Sequence, residues 1–420
     1  MKNDSTKKLK RVNGRMLIGA VDIGKIKHTG YWRLADGTDI RPFEFFNNGR
    51  GFQRFWHSIC QGKEGYGIEE VVVGFESTGS YAEPLLHFLR KRGVKLVQVN
   101  PLHTKRLKEL QGNSPNKTDQ KDPKVIADII ELGHALTVII PEGAAAELRR
   151  LTNARERAIE RRTALFNQLQ DLVFMIFPEF LEVMKGVKVK TSQYLLRTCP
   201  TPEDIIERDV AVLAQELKEV SRGKLGRGRA EALYKAAWES VGIKEGQKGI
   251  VLEIKECLLW IESAERFIRR VEKEMAEALK EIPYSRCILS IKGIGKVTAA
   301  GLIGEVGDFR EFRTVSEIIK LAGLDLFEIS SGKRKGKRRI SKRGRPLLRK
   351  LLFFASINTV RKGGAMYGVY QRYVQRGMPR NKALIAIARK LLRVIFALVR
   401  DHSTFVREYL EIPYHFKEAA

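Results

Sequence analysis

Two short apolar runs constrain this chain more than any other feature, because each stops at an acid. Met16-Leu17-Ile18-Gly19-Ala20-Val21 runs into Asp22, and Val71-Val72-Val73-Gly74-Phe75 runs into Glu76. Apolar runs of this length without polar alternation suit strands buried on both faces of a sheet. Leu96-Val97-Gln98-Val99 is a further strand. His28–Leu34 and Ile40–Phe46 flank Ala35-Asp36-Gly37-Thr38, where Asp36-Gly37 predicts a hairpin turn. Phe52, Phe55, Trp56 and Ile59 recur at helical spacing, and a helix over 81–91 is stopped by Gly93. Antiparallel strands first, then strands alternating with helices, predict an α/β domain over 16–143 with a mixed sheet.

Behind it, residues 144–285 read as helical. Leu148, Leu151, Ala158, Leu165, Leu169, Leu172 and Ile176 alternate three and four apart, with Arg155 and Arg162 filling two slots. Ile254, Leu258, Ile261, Ile268, Val271 and Met275 repeat the pattern. An antiparallel coiled coil and a plain bundle core both have this period. Thr201-Pro202-Glu203-Asp204 has the form of a helix start, and Ser221–Gly228 a basic interruption. The third block, 286–420, is expected to be mainly α. It carries helices over Pro346–Val360 and Asn381–Val399, the second apolar on most sides and therefore buried. Residues 1–15 are a polar, basic tail expected to be disordered, without the apolar core of a leader.

Asp22 and Glu76, with Asp119 and Asp122 from Asn116-Lys117-Thr118-Asp119-Gln120-Lys121-Asp122, are the candidate metal ligands. Carboxylates at strand ends, joined by acids near a later helix, can hold two Mg²⁺ ions for phosphoryl transfer. Oxygen-only ligands favour Mg²⁺ or Mn²⁺ over zinc. The plainer reading is that each acid solvates a strand end or caps a helix. Pro123 disfavours helical dihedrals at Asp122, so the helix is expected to begin at Pro123 with both acids in the preceding turn.

Lys plus Arg is 77 and Asp plus Glu is 49 among 420 residues, a net charge of +28. Such an excess opposes compaction unless a polyanion neutralises it, and a nucleic acid fits best. Ile291-Lys292-Gly293-Ile294-Gly295-Lys296 has the form of a helix-hairpin-helix, whose backbone N–H groups can face a phosphate. Lys333–Lys350 holds eleven basic residues and no acid. Lys292, Gly293, Gly295 and Lys296, with Lys333, Arg334, Lys335, Lys337, Arg338, Arg339, Lys342, Arg343 and Arg345, are the candidate nucleic-acid contacts. Ser330-Ser331-Gly332 precedes the run. A serine hydroxyl needs activation, and no His or Lys partner is assignable from spacing, so a Ser-Gly turn reads first as a turn. Cys60, Cys199, Cys257 and Cys287 lack metal-site spacing and read as reduced thiols in a cytoplasmic protein. No run has the length of a membrane span.

Together these residues resemble the insertion-sequence one-ten family of transposases, which pair a RuvC-like DEDD domain with a serine domain. The front matches through Ala20-Val21-Asp22-Ile23-Gly24-Lys25, Gly74-Phe75-Glu76-Ser77-Thr78-Gly79-Ser80-Tyr81, Asn100-Pro101 and the group from Asn116 to Asp122. The back matches through Ser290–Gly295, Leu321-Ala322-Gly323-Leu324, Ser331-Gly332, Ile340–Gly344 and Leu348-Arg349. The resemblance implies an RNase-H/RuvC-like fold, Asp22, Glu76, Asp119 and Asp122 as metal ligands, and Ser331 as a nucleophile forming a phosphoserine link with DNA. Ser330 is the adjacent alternative. It also implies donor and target DNA as partners, an element-encoded bridge RNA as guide, and a homo-oligomer, dimer or tetramer. Pro123 stands where the family usually has Ala. The alternatives are a metal-dependent nuclease or junction resolvase, and a non-catalytic nucleic-acid scaffold or repressor.

Overall fold

The structure, a computed structural model, describes residues 16–76, 79–111, 122–138, 140–328 and 338–406. The chain forms two compact units, Met1–Ile140 with Ser316–Ile318, and Pro141–Val315 with Ile319–Ala420.

The front unit runs β1 (Met16–Asp22), β2 (Lys27–Leu34), β3 (Phe43–Phe46), α1 (Gly49–Gly65), β4 (Glu70–Glu76), α2 (Glu83–Arg90), β5 (Lys95–Val99), α3 (Pro101–Gln111), α4 (Asp122–Glu131) and β6 (Leu136–Thr137). The six strands lie in the order β3-β2-β1-β4-β5-β6. β1 pairs parallel with β4 and β4 with β5, while β2, β3 and β6 join antiparallel. The sheet is therefore mixed, as the strand order in the sequence implies.

Side chains alternate faces along a strand, and both faces here are covered. Leu17, Val21, Val73, Phe75 and Leu96 pack with Phe52, Phe55 and Ile59 of α1 and Leu85, Leu86 and Leu89 of α2. Met16, Ile18, Ala20, Val72, Val97 and Val99 pack with Val125, Ile126, Ile129 and Ile130 of α4. Gly74 lies on the second face, where an added Cβ would stand 2.2 Å from Cδ1 of Ile130. Its missing side chain lets α4 lie close. Polar ties fix α4 further. Arg33 of β2 binds Asp128 at 2.6 Å and Glu131 at 2.5 Å, and Asp39 accepts from Tyr31 and from Lys124 of α4.

Two expectations change. The strand over Ile40–Phe46 survives only as Phe43–Phe46, since Pro42 has no N–H to offer the ladder. α4 begins at Asp122, one residue before Pro123.

The back unit is almost all helix: α5 (Gly143–Ile176), α6 (Pro178–Met184), α7 (Lys190–Thr198), α8 (Pro202–Ile206), α9 (Val210–Val220), α10 (Arg227–Trp238), α11 (Gln247–Ala278), α12 (Ser285–Leu289), α13 (Lys296–Val306), α14 (Val315–Leu321), a two-stranded hairpin of β7 (Leu326–Phe327) and β8 (Arg339–Ile340), α15 (Pro346–Thr359), α16 (Tyr367–Gln375) and α17 (Arg380–Arg400). α5 and α11 lie side by side and antiparallel. Arg155 pairs with Glu272 at 2.7 Å, Arg162 faces Glu265 at 3.9 Å, and Gln168 meets Glu253 at 2.5 Å. The two arginines that interrupt the apolar repeat thus face acids of the partner helix. Helices α6 to α10 gather at one end of this pair around Phe177, Phe180, Leu195, Leu213 and Leu233. At α8, Thr201 and Asp204 form a reciprocal capping box. α13 packs on α5 where Gly304 meets the backbone of Leu148 and Arg149.

α17 departs from its expectation. Ala383, Ile387, Ala388, Leu391, Leu392, Ile395, Leu398 and Val399 are buried, but Arg389 and Lys390 are only half-buried and Arg393 is exposed. The helix has one apolar and one basic face.

Candidate metal centre and nucleic-acid interface

Register brings the first two acids together. The β1–β4 ladder ends at Val21 opposite Phe75, so Asp22 and Glu76, the next residues, stand at adjacent C-terminal strand ends. Parallel strands lie about 4.8 Å apart. Asp22 shares the parity of Ala20, and Glu76 that of Gly74, so both project toward the face covered by α4.

α3 supplies two further groups at this edge. Thr104, buried, donates its hydroxyl to Oε2 of Glu76 at 2.9 Å. Lys108, one turn on, pairs with Asp122 at the start of α4 at 2.6 Å. Neither residue stands out from hydropathy, and the helix that carries them is the missing step. Its signal is Asn100-Pro101: Asn100 Oδ1 accepts from the N–H of Leu102, with Pro at the first helical position.

The structure thus joins Asp22 with Glu76 and sets Asp122 on Lys108. Asp119 lies outside the described residues. Among the described residues, no three His, Cys, Asp or Glu side chains gather closely enough to cage a metal ion. The donor chemistry still fits a hard divalent cation, because two carboxylates at neighbouring strand ends are an all-oxygen set.

His28 of β2 shapes the loop after Asp22. Its Nδ1 accepts from the N–H of Gly24 at 3.2 Å, and its ring lies between Phe45 and Phe52. Burial pushes its pKa below the ordinary imidazole value, which keeps the ring neutral and Nδ1 free to accept.

In the back unit, α12 leads through Ile291–Gly295 into α13. Gly293 has φ +109°, and a Cβ there would meet the backbone of Asn358 and Thr359 at 2.9–3.0 Å. Gly295 caps α13 with open space beside it, and Lys292 and Lys296 are exposed. Arg338, Arg339, Lys342 and Arg343 are exposed as well.

Arg345 departs from its expected place. Its guanidinium donates to the backbone carbonyl of Glu305, and burial pulls its pKa down to about 10. This bond ties α15 to the end of α13. Lys333, Arg334, Lys335, Lys337, Ser330 and Ser331 lie outside the described residues. At the base of the β7–β8 hairpin, Ser341 donates to Asp325. Gly344 fits against Gly323, where a Cβ would stand 2.5 Å from the Gly323 nitrogen. The basic face of α17 was hidden in the sequence, because its cations interrupt a dense apolar run.

No helix among the described residues is long and apolar enough to cross a membrane.

A transposase family model described as DEDD_Tnp_IS110 matches residues 20–178, and one described as the Transposase IS116/IS110/IS902 family matches residues 285–371. The chain is 26% identical over 341 residues to the insertion element IS116 uncharacterized 44.8 kDa protein of Streptomyces clavuligerus, covering 80% of this chain and 84% of that protein. It is 23% identical to the insertion element IS110 uncharacterized 43.6 kDa protein of Streptomyces coelicolor, covering 91% and 93%. It is also 23% identical to the transposase for insertion sequence element IS1111A of Coxiella burnetii, covering 74% and 73%.

Proposed function

The chain belongs to the IS110 family of transposases, and from that premise we propose that it cuts and exchanges DNA strands with both front-unit acids and a back-unit serine. One observation carries the reading: Asp22 and Glu76 end adjacent parallel strands on one face, inside the segment that matches the DEDD transposase model.

Asp22 and Glu76, with Asp119 and Asp122, would hold Mg²⁺ or Mn²⁺. Such ions polarise a phosphodiester and stabilise the oxygen that leaves. Thr104 orients the Glu76 carboxylate through its hydrogen bond. Lys108 is the resident counter-charge of Asp122, and cation binding there has to displace it.

Ser331 is the nucleophile in this reading. Its oxygen forms a bond to phosphorus while one P–O bond of the DNA backbone breaks. The serine proton goes to a base or water, and the departing sugar oxygen takes up a proton. The ester conserved in the phosphoserine link can be attacked by another strand's hydroxyl, which rejoins DNA and frees the serine. A structured bridge RNA is the guide in this reading, and the net charge of +28 suits two polyanions.

The test is to trap the adduct. Purified protein with its co-purifying RNA, Mg²⁺ and a plasmid carrying the element ends is expected to yield a protein–DNA species resistant to denaturant. The species is expected to vanish in Ser331→Ala and persist in Ser330→Ala. Cutting by Ser331→Ala at the wild-type rate would leave a metal-dependent nuclease instead.

A further inference from the structure

Four cations converge where α16 meets α17, apart from every residue assigned above. On α17, Arg389, Lys390 and Arg393 are one, three or four positions apart, which puts them on one side of the helix. Arg372 comes from α16, which packs on α17. Arg393 lies close enough to lower the pKa of both Arg389 and Lys390, and Arg372 that of Lys390, although burial is the larger cause for each.

Holding like charges together beside two half-buried cations, Arg389 and Lys390, is unfavourable unless something neutralises them. Among the described residues, the one carboxylate that acts on Arg389 or Lys390 is Asp325, and it also accepts from Ser341. Tyr373 also lies close enough to act on Arg389. Nε of Arg389 is buried and has no hydrogen-bond partner among the described residues.

We propose that Arg372, Arg389, Lys390 and Arg393 form a seat for the sugar–phosphate backbone of a nucleic-acid strand. The seat rests on the transposase reading. Asp325 joins it to the β7–β8 hairpin, between whose strands Ser331 falls in the sequence. A strand held there is anchored by charge and geometry rather than by base identity, because phosphate contacts set register and carry no sequence code.

The experiment is a salt titration of binding by fluorescence anisotropy, with labelled DNA in one arm and labelled RNA in the other. The full chain is compared with Lys390→Gln/Arg393→Gln/Arg372→Gln, which spares Arg389 with its buried Nε. It is also compared with the charge-keeping Arg372→Lys/Arg393→Lys. Each lost phosphate contact removes about 0.7–0.9 from the slope of log affinity against log salt. The triple variant is expected to lose about 2–3 from that slope and about tenfold or more in affinity, while the charge-keeping variant matches wild type. Loss confined to one arm identifies DNA or RNA as the strand seated. If the triple variant melts like wild type and keeps the full slope in both arms, the seat is wrong and the transposase reading stands. If the wild-type chain binds neither nucleic acid, the transposase reading falls first.

Discussion

In the front unit acids are placed by backbone pairing, whereas in the back unit helices are placed by how closely they can touch. Asp22 and Glu76 need only the β1–β4 register and matching parity to stand side by side. α13 reaches α5 because Gly304 has nothing to hold it off, and Arg345 then ties the end of α13 to α15. The difference teaches where substitutions bite. A sheet edge tolerates a changed side chain without losing its ladder, so chemistry and stability can be separated there. A helix contact made through backbone cannot be altered without moving the helix.

The sharpest way to break this contrast is at the acids. Asp22→Ala or Glu76→Ala is expected to lower Mg²⁺-dependent strand cleavage at least about 100-fold, with the melting curve nearly unchanged. A large drop in melting temperature would mean that these carboxylates hold the fold. Gly304→Ala comes next. Its Cβ would lie 2.7 Å from the Arg149 nitrogen, and overpacking of this kind costs roughly 1–3 kcal/mol. Gly74→Ala, which meets side-chain atoms of Ile130 and Val97 rather than backbone, is expected to cost about 1 kcal/mol, at the low end of the same range. Equal losses in denaturant titrations would erase the distinction between the units.

A smaller effect separates charge from shape along α5 and α11. Arg155 and Glu272 are each about a quarter to a third exposed, so their ion pair is worth roughly 0.5–1 kcal/mol. The joint change Arg155→Leu/Glu272→Leu is expected to be neutral or mildly stabilising by calorimetry. Strong destabilisation would show that the pair does more than fill two slots of the repeat. The smallest effect is on the pH axis. His28 binds a proton less readily folded than unfolded, because burial lowers its pKa. Stability is therefore full above about pH 6.5 and falls as pH drops through that value, where the unfolded chain takes up the proton. His28→Phe is expected to shrink that acid-side loss of melting temperature, and an unchanged pH profile would rule His28 out as its source.

Much of the front sheet was legible because buried parallel strands are written as apolar runs, unbroken up to the terminal acid in β1 and β4 and interrupted only by Gln98 in the core of β5. β6 was not, since two residues carry no period. α16 escaped because Gly368 and the flanking Gly363-Gly364 and Gly377 break its pattern. The capping box at Thr201 was legible because its chemistry is local. Of the candidate site, the two strand-end acids could be read from position alone. Lys108 on Asp122 and the inward turn of Arg345 could not, because each depends on a partner distant in sequence or on burial. Asp119 was a candidate from its place in the acidic group and lies outside the described residues, and the role of Ser331 rests on the family resemblance.

The length of α5 magnifies small errors. At about 1.5 Å per residue, its 34 residues extend roughly 50 Å. Gly304 touches it at Leu148 and Arg149, near its first residues. Tilting such a rod by about 10° at that fulcrum would swing the far tip, roughly 40 Å away, by about 7 Å. The five small helices clustered there would travel with it, so a single methyl group at the pivot can be felt by whatever docks at the opposite extremity.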